Sequence, residues 1–445
     1  MYLSWRRRAR NVLRSNNIEY KELYTGSISS GMEIVIPTHF RCPISLELMK
    51  DPVTLSTGIT YDRESIEKWI DLGNQTCPVT NMVLRNFDQI PNHSLRRMIQ
   101  DWCSENRSHG IERIPTPRVP VTPYEVSSTC KKIMEATQQR DENKCLQLVE
   151  KIKTLGNESE RNKRCFRENG GACALSACFE SFASEKHVEL LKEILSVLTW
   201  MIPQGVEGQS KLGSMKCLST IVWLLKSRAD LSTRQNTVLA IKRLLALDQS
   251  YVLVLTKIEG FFQALISLIK EPISPSATKA SLQIIFYTIS EPEIGEKATK
   301  TFVELGLVSG LVEILVDSDK GICEKALCVL EQICNSSKGR EGAFENDLIL
   351  PLLVKKILRV SFLTSELSVS IIWKLCKNDE EHENNVAIAA LESGGFQKLL
   401  VLLQVGCSDK TKDKVKDLLK LLNLYRVKFH FVDPCKDFKY LKGSS

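Results

Sequence analysis

The sequence predicts a small α+β unit near the N-terminus followed by a long all-α solenoid. Three observations predict it. Residues 35–109 mix short extended pieces with two amphipathic helices and are punctuated by Pro37, Pro43, Pro52, Pro78 and Pro91. Residues 110–124 carry Pro115, Pro117, Pro120 and Pro123, a spacing that favours extended chain over helix and reads as a semi-rigid spacer. From 125 to 445 nearly every window has helical periodicity, and the helices recur. The composition, 43% hydrophobic and 25% charged over 445 residues, is that of a globular chain able to bury a sizeable core. The net charge of +7 is small for this length and neither requires nor excludes nucleic acid as a partner.

Residues 1–34 form an expected flexible arm, basic at Arg6, Arg7, Arg8 and Arg10 and then Ser/Gly-rich from Thr25 to Gly31. The basic cluster reads first as a solvated tail and second as a nuclear-import contact. No apolar stretch follows it, so no secretory signal is expected, and Tyr2 stands where N-myristoylation needs glycine. In the α+β unit an extended piece, Asp51 to Leu55, precedes a helix that starts after Asp62, a good N-cap residue. That helix carries Ile66, Trp69 and Ile70 on one face and stops near Gly73. A second helix follows Asn92, with Leu95, Met98, Ile99, Trp102 and Cys103 as its apolar stripe.

The helical region repeats in phase. Equivalent apolar helices begin at Leu191, Thr237, Ala280, Ala326, Ser368 and Lys414, spaced by 46, 43, 46, 42 and 46 residues. A second marker keeps the same phase: Gly260-Phe261, Gly306-Leu307 and Gly394-Gly395-Phe396 each precede an apolar helix. A period of about 40–47 residues with two or three helices is the armadillo/HEAT signature. Each unit buries its apolar face only by stacking on its neighbours.

Local catalytic patterns are missing. There is no phosphate-binding Gly-x-x-x-x-Gly-Lys-Ser/Thr, no Gly-x-Gly-x-x-Gly, no Gly-x-Ser-x-Gly and no His-Glu-x-x-His, and the 6 histidines are scattered. The 15 cysteines form no Cys-x-x-Cys pair, and many, such as Cys178, Cys217 and Cys334, sit in apolar runs. They read as buried reduced thiols, which suits the cytoplasm, with the nucleus as a second expected location. No apolar run approaches the ~18 residues of a membrane span.

One pattern is sharp. It runs Cys42-Pro43-Ile44-Ser45-Leu46-Glu47-Leu48-Met49-Lys50-Asp51-Pro52-Val53, then Thr60-Tyr61-Asp62-Arg63 and Ile66-Glu67-Lys68-Trp69-Ile70, then Cys77-Pro78-Val79-Thr80-Asn81 and Ile90-Pro91-Asn92. It resembles the U-box, the zinc-free relative of the RING domain of ubiquitin ligases. With the spacer and armadillo-like repeats, nearly the whole chain resembles the plant U-box/armadillo ubiquitin ligases. The residues agree with the zinc-free character: a RING site needs four Cys/His ligands, whereas the two turns here offer Cys42-x-x-Ser45 and Cys77-x-x-Thr80, each with one thiol and one hydroxyl. Such hydroxyls are poor zinc ligands but good hydrogen-bonders in turns.

The resemblance implies an E3 ubiquitin ligase with no nucleophile, metal or cofactor of its own. Two loops and the intervening helix would form a shallow groove for a ubiquitin-conjugating enzyme charged with ubiquitin. The matching residues are Ile44, Leu46, Trp69 and Pro78. Family members carry an Arg or Lys just after the second loop to bridge the conjugating enzyme and ubiquitin; the residue here is Asn81, a departure that keeps N–H donors but loses the charge and fork. The repeats would recruit protein substrates, self-association through the U-box is compatible with the family, and plant stress or defence signalling is the expected setting. Two other classes stand beside this reading: a non-catalytic armadillo adaptor, and a nucleic-acid or nuclear-transport protein. The latter would need a basic stripe, whereas Lys and Glu are interspersed along the repeats.

Overall fold

The structure, a computed structural model, describes residues 36–114, 120–184, 187–201, 211–227, 230–376 and 380–428. The expected basic arm, Pro115 and Pro117 lie outside the described residues. The chain divides into two compact units between Val119 and Pro120, each with its own hydrophobic core.

The first unit is built on a three-stranded antiparallel sheet in the order β2–β1–β3: β1 is Pro52–Thr54, β2 Thr60–Asp62 and β3 Ile90–Pro91. Val53 stands opposite both Tyr61 and Pro91. Pro91 is tolerated because β3 is an edge strand, where a missing N–H costs no ladder bond. Helix α1, Arg63–Asp71, follows β2 directly and buries Ile66 completely, which stabilises the unit by roughly 2 kcal/mol. Helix α2, His93–Glu105, is capped by Asn92, whose side-chain oxygen accepts from the Leu95 amide at 3.0 Å. Its expected stripe is buried at Ile99 and Cys103 and half-buried at Leu95 and Trp102, while Met98 faces out.

Three local expectations change. Asp62 sits at the N-cap position of α1 but makes no capping bond. Its carboxylate instead accepts from the Lys50 and Asp51 amides at 2.8 and 3.0 Å, so the residue pins a distant turn rather than its own helix. The chain also leaves the first core late: Ile111 packs against it and Ile114 is buried in it. At the far side of the spacer, Pro123 does not prevent helix. It is the first residue of Pro123–Gln138, where a missing N–H is harmless, and Thr122 and Glu125 close a capping box around it.

The second unit is a stack of helices. Seven of the described helices form one ladder: α3 Glu142–Glu158, α4 Val188–Met201, α5 Leu231–Leu247, α6 Pro275–Ser290, α7 Lys320–Ile333, α8 Phe362–Leu375 and α9 Asp409–Lys428. Each packs on the next. The six aligned segments read from the sequence fall on α4 to α9, and α3 adds a rung that the alignment did not contain. Behind them a second row, including Phe261–Lys270 and Leu307–Val316, packs in the same order. The phase is set by turns. Helices α5 to α8 are entered through Asp230, Ser274, Asp319 and Ser361, each of which accepts a hydrogen bond from the amide three residues on. Gly306 takes φ +83 at the corner before Leu307–Val316, a left-handed conformation that a β-carbon penalises. Stacking gives one continuous core running from Val126 to Tyr425. Among the described residues no single helix is long and apolar enough to cross a membrane.

Candidate functional site

Two loops of the first unit are built to one plan. In the first, the Leu46 amide donates to the Cys42 carbonyl and the Cys42 amide donates to the Glu47 carbonyl, both at 2.8 Å. In the second, Asn81 donates to Cys77 and Cys77 to Met82, again at 2.8 Å. An antiparallel bridge closes each loop, Arg41 with Leu48 and Thr76 with Val83. Every residue of the first loop therefore has a counterpart in the second: Cys42 with Cys77, Pro43 with Pro78, Ile44 with Val79, Ser45 with Thr80, Leu46 with Asn81. The hydroxyls behave as the turn chemistry suggests. Ser45 Oγ accepts from the Glu47 amide and Thr80 Oγ1 from the Met82 amide, each at 3.4 Å.

The thiols occupy the middle of the loops, fully buried. Cys42 Sγ accepts from the Asp62 amide at 3.3 Å. Cys77 Sγ accepts from Thr57 Oγ1 at 3.3 Å and pairs with the Tyr61 hydroxyl at 3.0 Å. The Tyr61 oxygen in turn accepts from the Val79 amide at 3.2 Å. Burial opposes ionisation of Cys77, but the Thr57, Thr80 and Tyr61 hydroxyls outweigh it and bring the thiol down to about 6. Burial, and then the bond to Cys77, pushes the Tyr61 phenol upward. Hydrogen bonds thus occupy the sulfurs where a RING site would place metal, and among the described residues no three His, Cys, Asp or Glu side chains gather into a metal site. We predict that chelation leaves the thermal unfolding midpoint of the first unit unchanged and that the purified chain carries no stoichiometric zinc. Elemental analysis finding about two tightly held zinc ions per chain, as in a cross-braced RING, would contradict this.

Adjacent residues of β2 anchor both loops: Asp62 holds the first and Tyr61 the second. Helix α1 joins the second loop too. The Trp69 indole N–H donates to the Thr76 carbonyl at 2.8 Å, and Asn74 Nδ2 donates to the Trp69 carbonyl at 2.9 Å. The loops and α1 are therefore one rigid platform on the sheet.

The structure places the expected contact residues as follows. Ile44 and Trp69 are half-buried, each packing one side on the core. Pro78 is half-buried at the start of the second loop. Leu46 is 60% exposed at φ +61, and Asn81 is exposed at the equivalent corner with φ +57. Asn is favoured among non-glycine residues in that conformation; Leu is not. Sequence reasoning missed three neighbours of this platform, Leu72 after α1 and Val79 and Met82 in the second loop, which are 77%, 51% and 62% exposed. The internal match of the two loops was the signal for Val79, the counterpart of Ile44.

A small sheet with two clamped loops and an apolar, exposed rim, followed by a helical-repeat solenoid, defines a two-part protein with one loop platform and one stacked-helix array. Comparison with known proteins agrees with both parts. The U-box domain model matches residues 36–108, and the model of the plant U-box protein ARM repeat region matches 125–442. The chain is 49% identical to U-box domain-containing protein 21 of Arabidopsis thaliana over 92% of this chain and 93% of that one. It is 45% identical to U-box domain-containing protein 20 over 96% and 97%, and 34% identical to E3 ubiquitin-protein ligase PUB22 over 87% and 94%, both from the same plant. The chain belongs to the plant U-box protein family with armadillo repeats.

Proposed function

We propose that this chain is an E3 ubiquitin ligase in which the loop platform docks a ubiquitin-charged conjugating enzyme and the repeats recruit the protein to be modified. The observation that carries the reading is Leu46. A leucine held at positive φ with most of its surface in water is doubly unfavourable to the fold, by about 1–2 kcal/mol for the backbone alone. Fold stability does not select such a residue, whereas a rigid apolar anchor for a partner does. The name of the relative PUB22 supports the same class of activity.

Catalysis here is orientation. The platform would hold the conjugating enzyme and its thioester-linked ubiquitin so that a substrate lysine attacks the thioester carbonyl; no side chain of this protein forms a covalent bond. Asn81, exposed at the corner of the second loop, would contribute a hydrogen bond to the closed pose. Asn81→Arg supplies a charged donor with fixed N–H geometry, and a gain of about 1 kcal/mol there would speed discharge roughly fivefold. The corner already accepts a long side chain at Leu46, its counterpart, so the variant is expected to fold. Single-turnover discharge of charged conjugating enzyme to free lysine checks this; identical rates for wild type, Asn81→Arg and Asn81→Ala would remove Asn81 from the mechanism. We place this action in the cytoplasm and nucleus and in plant stress or defence signalling.

The division of labour is tested with fragments, since each unit has its own core. A fragment from residue 120 onward should retain a substrate that the full chain captures, yet leave it unmodified. Retention by residues 36–114 alone would reverse the assignment.

A further inference from the structure

Along most of the ladder, cations are paired across rungs. Lys153 of α3 meets Glu193 of α4 at 2.8 Å, Lys192 of α4 meets Asp230 at the start of α5 at 3.7 Å, and Lys279 of α6 meets Asp319 at the start of α7 at 3.1 Å. Lys374 of α8 pairs with Glu331 of α7. These pairs neutralise the surface and tie neighbouring repeats.

The middle of the ladder departs from that rule. Lys242 of α5 is half-buried and has no hydrogen bond or ion pair among the described residues. The charged groups that act on it are Lys325, two rungs along on α7, and Arg243 beside it. Among the described residues Lys325 finds only a neutral partner, the side-chain carbonyl of Gln283 on the intervening α6, at 3.2 Å, and the Gln283 amide donates to the Tyr287 hydroxyl at 2.7 Å. Arg243 also has a cation, Arg167, as its charged neighbour. Burial first, then Lys325 and Arg243, pushes the Lys242 ammonium pKa down. A half-desolvated lysine facing another lysine across a glutamine is unfavourable to the isolated fold, because like charges repel where water cannot screen them.

We propose that the ladder face spanning Lys242, Gln283 and Lys325 binds an acidic stretch of the recruited protein, with Asp and Glu carboxylates supplying the counter-charge that the repeats withhold there. This rests on the reading that the repeats recruit substrate and names the chemistry of what they take. Peptide carboxylates suit the site better than a single compact anion, because the cations lie on separate rungs with a hydrogen-bonding amide and phenol between them. The chain's own N-terminal segment is a poor candidate for this face: residues 1–35 carry Arg6, Arg7, Arg8, Arg10, Arg14 and Lys21 against Glu19, Glu22 and Glu33, and so are net basic.

The test uses the full chain and short fluorescein-labelled peptides, one of alternating Asp and Gly and one of alternating Ser and Gly, read by fluorescence anisotropy. The acidic peptide should bind, lose affinity as salt is raised, and lose about tenfold or more with Lys242→Glu and Lys325→Glu together. Lys257→Glu with Lys297→Glu, an equal change of charge at exposed positions off the ladder, should leave binding unchanged. The thermal midpoint of a Lys242→Gln, Lys325→Gln variant should hold or rise, since that pair of changes removes the repulsion without creating another. Equal binding of the Ser/Gly peptide, equal loss in the off-ladder variant, or preference for an RNA of matched charge over the acidic peptide would overturn the proposal. No conjugating enzyme is present in this assay. A ligase-dead platform with intact peptide binding therefore counts against the ligase reading alone, and intact self-ubiquitination without peptide binding counts against this proposal alone.

Discussion

Ile44→Ala is expected to abolish ubiquitin-chain formation by this protein in a reconstituted reaction while leaving its thermal unfolding nearly unchanged. Ile44 is half-buried in the first loop, so alanine removes partner-facing apolar surface and only part of a core contact. Truncating a central interface anchor costs ~2 kcal/mol or more, about thirtyfold in affinity. Trp69→Ala should be as damaging to activity but should also loosen the second loop, because the indole N–H that holds the Thr76 carbonyl is lost with the ring. The two variants thus separate docking surface from platform rigidity. Hydrogen exchange at Cys77 to Met82 should rise in Trp69→Ala and stay at wild-type levels in Ile44→Ala. Full activity in both would place the docking groove elsewhere.

Gly339→Ala is expected to destabilise the solenoid by about 3 kcal/mol, near the upper end of overpacking costs. A β-carbon built at Gly339 falls 1.9 Å from the carbonyl oxygen of Ile333, where α7 ends and the helix Ser337–Phe344 begins. Gly295 stands in the same relation to Ile289 at the end of α6, with 2.3 Å to the carbonyl. These glycines are required for space: the obstacle is backbone, which cannot swing aside as a side chain can. Gly306→Ala, by contrast, meets only the flexible end of Lys270 and should cost about 1 kcal/mol through its positive φ. Denaturant midpoints of the two variants rank them; a larger loss in Gly306→Ala would contradict the packing account.

These glycines also explain what the sequence did not disclose. The left-handed corners at Gly260, Gly306 and Gly394 repeat just before apolar helices, and that periodicity is visible without coordinates. Gly295 and Gly339 mark the other turn of the repeat, but a steric requirement depends on which carbonyl comes near, and that is tertiary information. The rung α3 escaped the alignment for a related reason. Its buried positions are Cys145, Val149, Ile152 and Gly156, a sparse stripe ending in a glycine that makes room for the Trp200 ring. In the first unit, Cys42-Pro43-Ile44-Ser45-Leu46 and Cys77-Pro78-Val79-Thr80-Asn81 could be matched by eye, so the paired loops were legible. The positive φ of Leu46 was not, because leucine has no preference for that region and only the closed loop imposes it. Asp62 was legible as a cap by residue type, yet the amides of Lys50 and Asp51 claim its carboxylate.

The most direct test of the central claim is single-turnover discharge of ubiquitin from a charged conjugating enzyme to free lysine, with this protein titrated in and no substrate present. The account predicts a rate that rises with the amount of wild-type protein and saturates, and that stays at the background value with Ile44→Ala. A rate independent of the wild-type protein, across conjugating enzymes that respond to other U-box ligases, would contradict it and leave the chain an armadillo-repeat adaptor.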